Sequence, residues 1–505
     1  MYTISAPRML KIFTDTMALP KFNLYINGQE REGGNGYEET INPYTQRPWA
    51  QIAQASVQDV DDAVRAAEAA FPAWAALPGL QRARLMHILA DLIEEEADTL
   101  SKIETSDNGK MRRETKSQML FSARNYRFFA GMADKLNGEV KPMDNPSLFD
   151  YTLREAYGPC ALITPWNSPI SVLTNKLPPC LASGNTCVVK PSEFTTASTL
   201  YFAKIIERAG FPPGVFNVVS GKADVGKALV THPAINLISF TGSVGVGRLI
   251  AQQGAENIRP VVLELGGKSA NVILDDAELY RAIPGSVAGI FAASGQSCIA
   301  GSRLLVQRSV YDKVVQGILD TVKSSRFGDP EDLNTDIGPV VHKGQREAIL
   351  RHIEKAQQDG AELVAGGKEE SEKLGGLFVA PTIFKNVDPS SSLANTEVFG
   401  PVLAIIPFDS DEEAIKIANS TQFGLAAAVW TTSLRRAHDM ASKLHAGQIW
   451  VNTYRQSSAT APFGGYGHSG YGKERGVEAL LEYTRLKNVM MDLGNEARDP
   501  FSIKL

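Results

Sequence analysis

Cysteine is scarce in this 505-residue chain, which has only Cys160, Cys180, Cys187 and Cys298. So few thiols in so long a sequence exclude a disulfide scaffold and suit a reducing, cytoplasmic compartment. Histidine is also sparse, at seven, and none is spaced with cysteines or carboxylates in the manner of a zinc site, so no metal is expected. No apolar run approaches the roughly 18–20 residues that span a bilayer, so no membrane partner is expected. A basic excess is missing too: 51 Lys and Arg face 56 Asp and Glu, a net charge of −5, which argues against nucleic acid as a partner. The first 21 residues carry Arg8, Lys11 and Asp15 but no continuous apolar stretch or small-residue cleavage site. They read as an unstructured leader or a weak organelle address, and not as a secretory signal. Neither an internal repeat nor a low-complexity segment stands out.

A chain of this length exceeds one compact core, so two or three domains are expected. Hydrophobic residues at 43% and charged residues at 21% suit a globular protein. Helix and strand patterns alternate, which predicts parallel α/β architecture. One helix opens at Ser56, where Ser56 and Asp59 can form a capping box, and Val60, Val64, Ala67 and Phe71 follow at helical spacing. A second amphipathic stretch runs through Leu85, Ile88, Leu89 and Leu92. Buried strands are predicted over 160–164, 186–189, 236–240 and 261–265, each ending in a polar or glycine-rich turn. A second α/β pattern begins near Ser269 and continues through 402–406. Ligands collect at the carboxyl ends of strands in open α/β sheets, so the residues just after these runs are the candidates for chemistry.

Four stretches qualify, each with a plainer explanation. Gly242-Ser243-Val244-Gly245-Val246-Gly247 joins a strand to a helix and offers free N–H groups to a phosphate, but its spacing is not the dinucleotide fingerprint, and a simple glycine turn fits as well. Cys298, in Gly295-Gln296-Ser297-Cys298, is either an accessible thiolate or a buried inert cysteine. Glu264, inside Val261-Val262-Leu263-Glu264-Leu265-Gly266-Gly267, is either a desolvated general base or a strand-end glutamate with a neighbouring partner. Asn167, in Thr164-Pro165-Trp166-Asn167-Ser168-Pro169, is either an oxyanion donor or an Asx turn.

Read together, these stretches resemble the aldehyde dehydrogenase superfamily, from about Tyr25-Ile26-Asn27-Gly28 to Lys487-Asn488-Val489. Lys190-Pro191-Ser192-Glu193, Phe240-Thr241-Gly242-Ser243, Glu397-Val398-Phe399-Gly400-Pro401 and Pro462-Phe463-Gly464-Gly465 match as well, in the same order. The resemblance implies a Rossmann-like cofactor domain (1–138 and 157–268), an α/β catalytic domain (269–480) carrying Cys298, and a small oligomerisation β element (139–156 and 481–505). A homodimer or homotetramer is expected, because that element otherwise leaves strand edges unpaired.

The resemblance further implies that Cys298 attacks an aldehyde, Asn167 holds the oxyanion, and Glu264 activates the water that hydrolyses the thioester. Lys176 and Glu474 match a proton-relay pair. NAD is the implied cofactor, with NADP possible. Trp166, Lys190, Ser192 and Glu193 would hold its adenosine side, Gly242, Ser243 and Gly247 its pyrophosphate, and Leu265, Glu397 and Phe399 its nicotinamide side. A carboxylate at Glu193 would repel a 2′-phosphate and favour NAD.

Several positions depart from the common family pattern: Ser168, Asn175, Ala293 and the pair Gly467-His468. With Ser297 and Phe463, Ser168 and Asn175 would line a polar, roomy substrate pocket. Arg455, on the loop that closes the substrate entrance in relatives, would bind a carboxylate or other polar group, or else pair with a surface neighbour. The expected substrate is therefore a semialdehyde or other oxygenated aldehyde. A CoA-acylating relative would typically lack Glu264, and a relative retained only for binding would be expected to lose Cys298 or Glu264.

Overall fold

Alternation of buried strands with amphipathic helices produces two mainly parallel sheets. The computed structural model describes residues 18–495 and Phe501. Residues 1–17 of the leader, and all but Phe501 of the last ten residues, lie outside the described residues.

The first sheet has eight strands, with a parallel centre made of Val261–Glu264, Leu237–Thr241, Pro159–Ile163, Thr186–Lys190 and Phe216–Val218. Every residue of Pro159–Ile163 and Thr186–Lys190 is buried, as a parallel strand covered by helices on both faces requires. Cys160, Leu162, Cys187 and Val189 enter one core with Trp74 and Met86, while Ala161, Ile163 and Val188 enter another with Val60 and Val64. That two-residue alternation splits the helices between the two faces. The second sheet, of seven strands, repeats the plan around Val402–Phe408, Arg303–Gln307, Ala270–Ile273 and Ala426–Trp430. The predicted strands are all present, with ends moved by a residue or two.

Helix Val57–Ala76 begins with the expected capping box: Ser56 Oγ accepts from the Asp59 N–H at 3.2 Å, and Asp59 Oδ2 accepts from the Ser56 N–H at 2.7 Å. Asp59 Oδ2 also takes the Gly34 N–H at 2.8 Å, which ties the helix start to a neighbouring loop. Helix Gly79–Glu95 buries a different stripe from the one expected. Arg82, Met86, Leu89 and Ile93 face the core, whereas Ile88 is exposed and Leu85 and Leu92 are half-buried. The buried stripe is able to include Arg82 because its guanidinium donates to the carbonyls of Ala182 and Leu77.

The two sheets are not separate in sequence. Gly470–Tyr471 adds an antiparallel edge strand to the first sheet at Leu263 and Glu264, and Ala479, Leu480 and Tyr483 join the first core. Gly470–Tyr471, Ala479 and Leu480, within the span expected to form the catalytic domain, thus belong to the first sheet and its core, ahead of the oligomerisation element expected from residue 481. A third, antiparallel sheet pairs Leu148–Ala156 with Thr484–Asp492, with Val140–Lys141 on its outer edge. Val140, Leu486 and Met490 stand exposed on these strands. The guanidinium of Arg303 braces the second sheet from inside, donating to the carbonyls of Lys268, Ile417 and Ala418 at 2.9, 2.8 and 2.7 Å.

Candidate active site

Parallel pairing brings the carboxyl ends of four strands to one edge of the first sheet. Across that edge Glu264 pairs with Thr241, Phe240 with Ile163, and Ile163 with Lys190. The turns that follow carry Trp166-Asn167, Glu193, Gly242-Ser243 and Leu265 to the same side.

Cys298 comes to this edge on a strained loop. Ala293, Ser294 and Gly295 adopt successive φ values of 53°, 53° and 73°, the left-handed region, which disfavours residues with a Cβ. Glycine is required at 295, because a Cβ there would collide with the Gly400 carbonyl. The loop is held from several sides: Ser294 Oγ donates to the Gly338 carbonyl at 2.7 Å, the Val341 N–H donates to Gln296 Oε1 at 3.0 Å, and the Ala293 N–H reaches Glu114 Oε1 at 3.2 Å. Asn167 Nδ2 donates to the Gln296 carbonyl at 3.0 Å, so the asparagine and the cysteine loop are joined. Cys298 is half-buried, whereas Cys160 and Cys187 on strands of the first sheet and Cys180 on helix Pro169–Ala182 are buried in one core. Burial pushes the Cys298 thiol up to about 12, the charges of Glu397, Glu264 and Glu474 push the same way, and Arg455 opposes them.

Three carboxylates surround this loop in different states. Glu264 is 2% exposed, and neither of its oxygens has a hydrogen-bond partner among the described residues. Burial, reinforced by the charge of Glu474, raises its pKa well above the usual carboxylate range. Glu474 is held by Lys176 Nζ at 2.5 Å, a pair sealed inside the first sheet, and the same amine donates to Ser239 Oγ at 3.0 Å. Glu397 Oε1 accepts the Gly267 N–H at 2.8 Å, and burial lifts its pKa to about 7. Gly266 leaves room for it, since a Cβ there would run into the carboxylate.

Other candidate residues stand further along the same sheet edge. The Trp166 ring packs edge-on against Phe399 at 5.1 Å, and the Phe399 carbonyl accepts from Gln345 Nε2 at 2.9 Å. Lys190 is buried and donates to the Pro191 carbonyl at 3.1 Å, while Glu193 beside it is exposed and takes only a long 3.5 Å bond from Ser192 Oγ. Helix Val244–Glu256 starts at Ser243, whose Oγ accepts from the Val246 N–H at 3.4 Å. The glycine run is thus the first turn of the helix and not a loop ahead of it. At Gly247 a Cβ would lie 2.6 Å from Leu265, so the glycine lets the helix start close against the strand end.

The polar residues expected to line the pocket gather here with others that the sequence did not single out. Ser168 Oγ accepts from Lys110 Nζ at 2.6 Å, a buried lysine that also reaches Gln118 Oε1 at 3.0 Å. Asn175 is 5% exposed, and its Oδ1 accepts from Arg475 Nε at 2.8 Å. Asn175 thus holds an arginine that the sequence did not single out. The Arg475 guanidinium lies over Phe121 at 5.2 Å and over Phe463 at 5.3 Å. Phe463 is fixed by paired backbone bonds with Glu474, at 2.6 and 2.7 Å. Ser297 is half-buried beside Cys298. Arg455 has a φ of 61°, is half-buried, and leaves Nη1 buried without a partner; no carboxylate among the described residues pairs with it. The surface ion pair considered from sequence is therefore absent among these residues.

Comparison with known proteins agrees with this geometry. The sequence profile of the aldehyde dehydrogenase family matches residues 30–489. The chain is 42% identical over 492 residues to (Z)-2-((N-methylformamido)methylene)-5-hydroxybutyrolactone dehydrogenase of Acinetobacter baylyi, covering 96% of this chain and 100% of that one. An aldehyde dehydrogenase from Bacillus cereus, solved as an NAD+ complex, superposes with a TM-score of 0.92 at 41% identity, over 94% of this chain and 97% of the other. Betaine aldehyde dehydrogenase from Staphylococcus aureus, solved with NAD+ and a BME-modified cysteine, superposes with the same TM-score at 35% identity, over 95% and 99%. With its sequence and its fold in accord with these proteins over nearly its whole length, the chain belongs to the aldehyde dehydrogenase family.

Proposed function

We propose that this protein oxidises a carboxylated or otherwise oxygenated aldehyde to the acid with NAD+, through a covalent intermediate on Cys298. The observation that carries the reading is the convergence on one sheet edge of a half-buried thiol, an asparagine amide bonded to the thiol's own loop, and a buried, unpartnered carboxylate.

Cys298 Sγ attacks the aldehyde carbon as a thiolate and forms the C–S bond. The Asn167 amide and the Cys298 backbone N–H hold the oxygen that becomes negative. NAD+, held by the sheet-edge residues named below, would supply the hydride acceptor for the carbon on sulfur. Glu264 then takes a proton from water, the water oxygen bonds to the thioester carbon, and the C–S bond breaks with Cys298 leaving as the thiolate. Lys176 and Glu474, already paired beside Glu264, pass its proton onward.

Residues of the first sheet suit a dinucleotide. Trp166, Lys190, Ser192 and Glu193 would hold the adenosine side, the helix N-terminus at Gly242, Ser243 and Gly247 the pyrophosphate, and Leu265, Glu397 and Phe399 the nicotinamide side. The exposed Val246 and Leu249 give the same helix an apolar flank for a base. The NAD+ complex of the Bacillus cereus relative supports the assignment. NADP+ fits less well, because the Glu193 carboxylate opposes a 2′-phosphate. The antiparallel sheet with its exposed Val140, Leu486 and Met490 would be covered in a homodimer or homotetramer.

A panel of aliphatic, aromatic and carboxylated aldehydes with NAD+ should give NADH, and Cys298→Ala should abolish the signal; turnover that survives the substitution contradicts the covalent route. Glu193→Ser should raise kcat/KM for NADP+ relative to NAD+ by about tenfold, the scale of one charge contact; an unchanged ratio removes Glu193 from cofactor selection. A thiol pushed up to about 12 has its reactive thiolate disfavoured at neutral pH. Alkylation of Cys298 by iodoacetamide in the cofactor-free enzyme should therefore climb roughly tenfold per pH unit from pH 7 to 10. A plateau below pH 9 contradicts that environment.

A further inference from the structure

Arg475 occupies a backbone conformation that almost no residue other than glycine adopts, with φ 61° and ψ 171°. A turn alone does not call for arginine, and the next residue, Gly476, is itself left-handed at φ 66°. What the strained backbone achieves is the placement of the side chain. The guanidinium lies over the faces of both Phe121 and Phe463, and Asn175 Oδ1 fixes Nε at 2.8 Å. Long side chains are seldom held from three sides without a function that needs their direction.

The charge so placed forms no salt bridge among the described residues, although the charges of Glu474 and Glu264 act on it from further off. No carboxylate lies within 4 Å of Arg475 among the described residues, and its neighbour Glu474 is taken by Lys176 at 2.5 Å. Arg455 shares the left-handed backbone at φ 61° and the half-burial, and in addition leaves a buried Nη1 without a partner among the described residues. The charges of both arginines act on Cys298. Lys110, on Ser168, adds to the positive field, although it is offset by Glu104 at 3.8 Å and by the nearby Glu114. Partly buried cations without partners are costly unless an anion joins them. A planar fork of donors matches a carboxylate with two parallel hydrogen bonds.

We propose that Arg475 is a second specificity-determining cation of the aldehyde pocket and binds, together with Arg455, the carboxylate of an ω-oxo acid. The product is then a dicarboxylate. Asn175, Phe121 and Phe463 are positioning residues for this arginine. The inference rests on the reading of Cys298 as nucleophile and of Arg455 as a carboxylate partner given above.

The test uses the full-length enzyme with NAD+ and compares kcat/KM for 4-oxobutanoate and 6-oxohexanoate with those for butanal and hexanal. The wild type should prefer the oxo acids. Arg475→Leu, which keeps an apolar stem between the two rings, should lower the oxo-acid to alkanal ratio on the order of 10- to 100-fold, the worth of a charged hydrogen bond. Arg475→Lys should fall between, because the charge remains and the fork is lost; it reads the same ratio if the leucine variant does not fold. A ratio unchanged in both variants, with the two substrate classes falling together, makes Arg475 purely structural and overturns the proposal. If Arg455→Ala lowers the ratio and the Arg475 variants do not, the inference fails while the Arg455 reading stands. A wild type without preference for oxo acids, and an Arg455→Ala ratio equal to it, overturns both.

Discussion

Glu264 ends a buried strand with no donor on either oxygen among the described residues, and the surrounding structure is organised around that cost. An ionised carboxylate held without partners in an apolar interior is disfavoured by several kcal/mol. Burial therefore drives the group towards its protonated form, while Lys176, Lys473 and Arg475 pull the other way. Glu474 is kept from adding an unbalanced charge by its bond to Lys176. The same economy governs Cys298, whose thiol is pushed up by burial and by three carboxylates and is drawn down by Arg455. In the cofactor-free site the would-be nucleophile and base are thus held towards their neutral forms, and small changes in the surrounding charge move them into action.

Backbone strain follows the same map. Ten non-glycine residues among those described have positive φ, and Ala293, Ser294, Phe399, Arg455 and Arg475 are five of them. Those five sit on the cysteine loop, beside Glu397, or at the two arginines whose charges act with that of Cys298. Strain of this kind persists only where the surrounding packing enforces it, and it gathers at sites that need atoms in otherwise unfavourable places. Gly295 under the Gly400 carbonyl and Gly266 under Glu397 play the complementary role, since each leaves space that a Cβ would fill.

Much of this was legible in the sequence. The strands after which Asn167, Lys190, Gly242 and Glu264 stand announced themselves by apolar runs ending in polar turns, because a parallel strand covered on both faces leaves no other pattern. The capping box at Ser56 and Asp59 was equally plain. The buried stripe of helix Gly79–Glu95 was not: periodicity ranked Ile88 above Arg82, and only the carbonyls of Leu77 and Ala182 explain why a guanidinium goes inside. Arg475 was missed for a similar reason. Its partners Phe121 and Asn175 lie some three hundred residues away or more along the chain, and nothing local marks an arginine in a glycine-like conformation. The contact of Asn175 with Arg475 was equally hidden, because an amide's partner is invisible without the fold.

The central claim is that Cys298 forms a thioester which Glu264 clears by activating water. Glu264→Gln keeps the size of the side chain and removes the base. Intact-mass measurement after mixing this variant with hexanal and NAD+ reads the intermediate directly. The account predicts one equivalent of NADH, then near arrest, with the mass of a hexanoyl group retained on Cys298. Steady turnover at the wild-type rate with no added mass would contradict it.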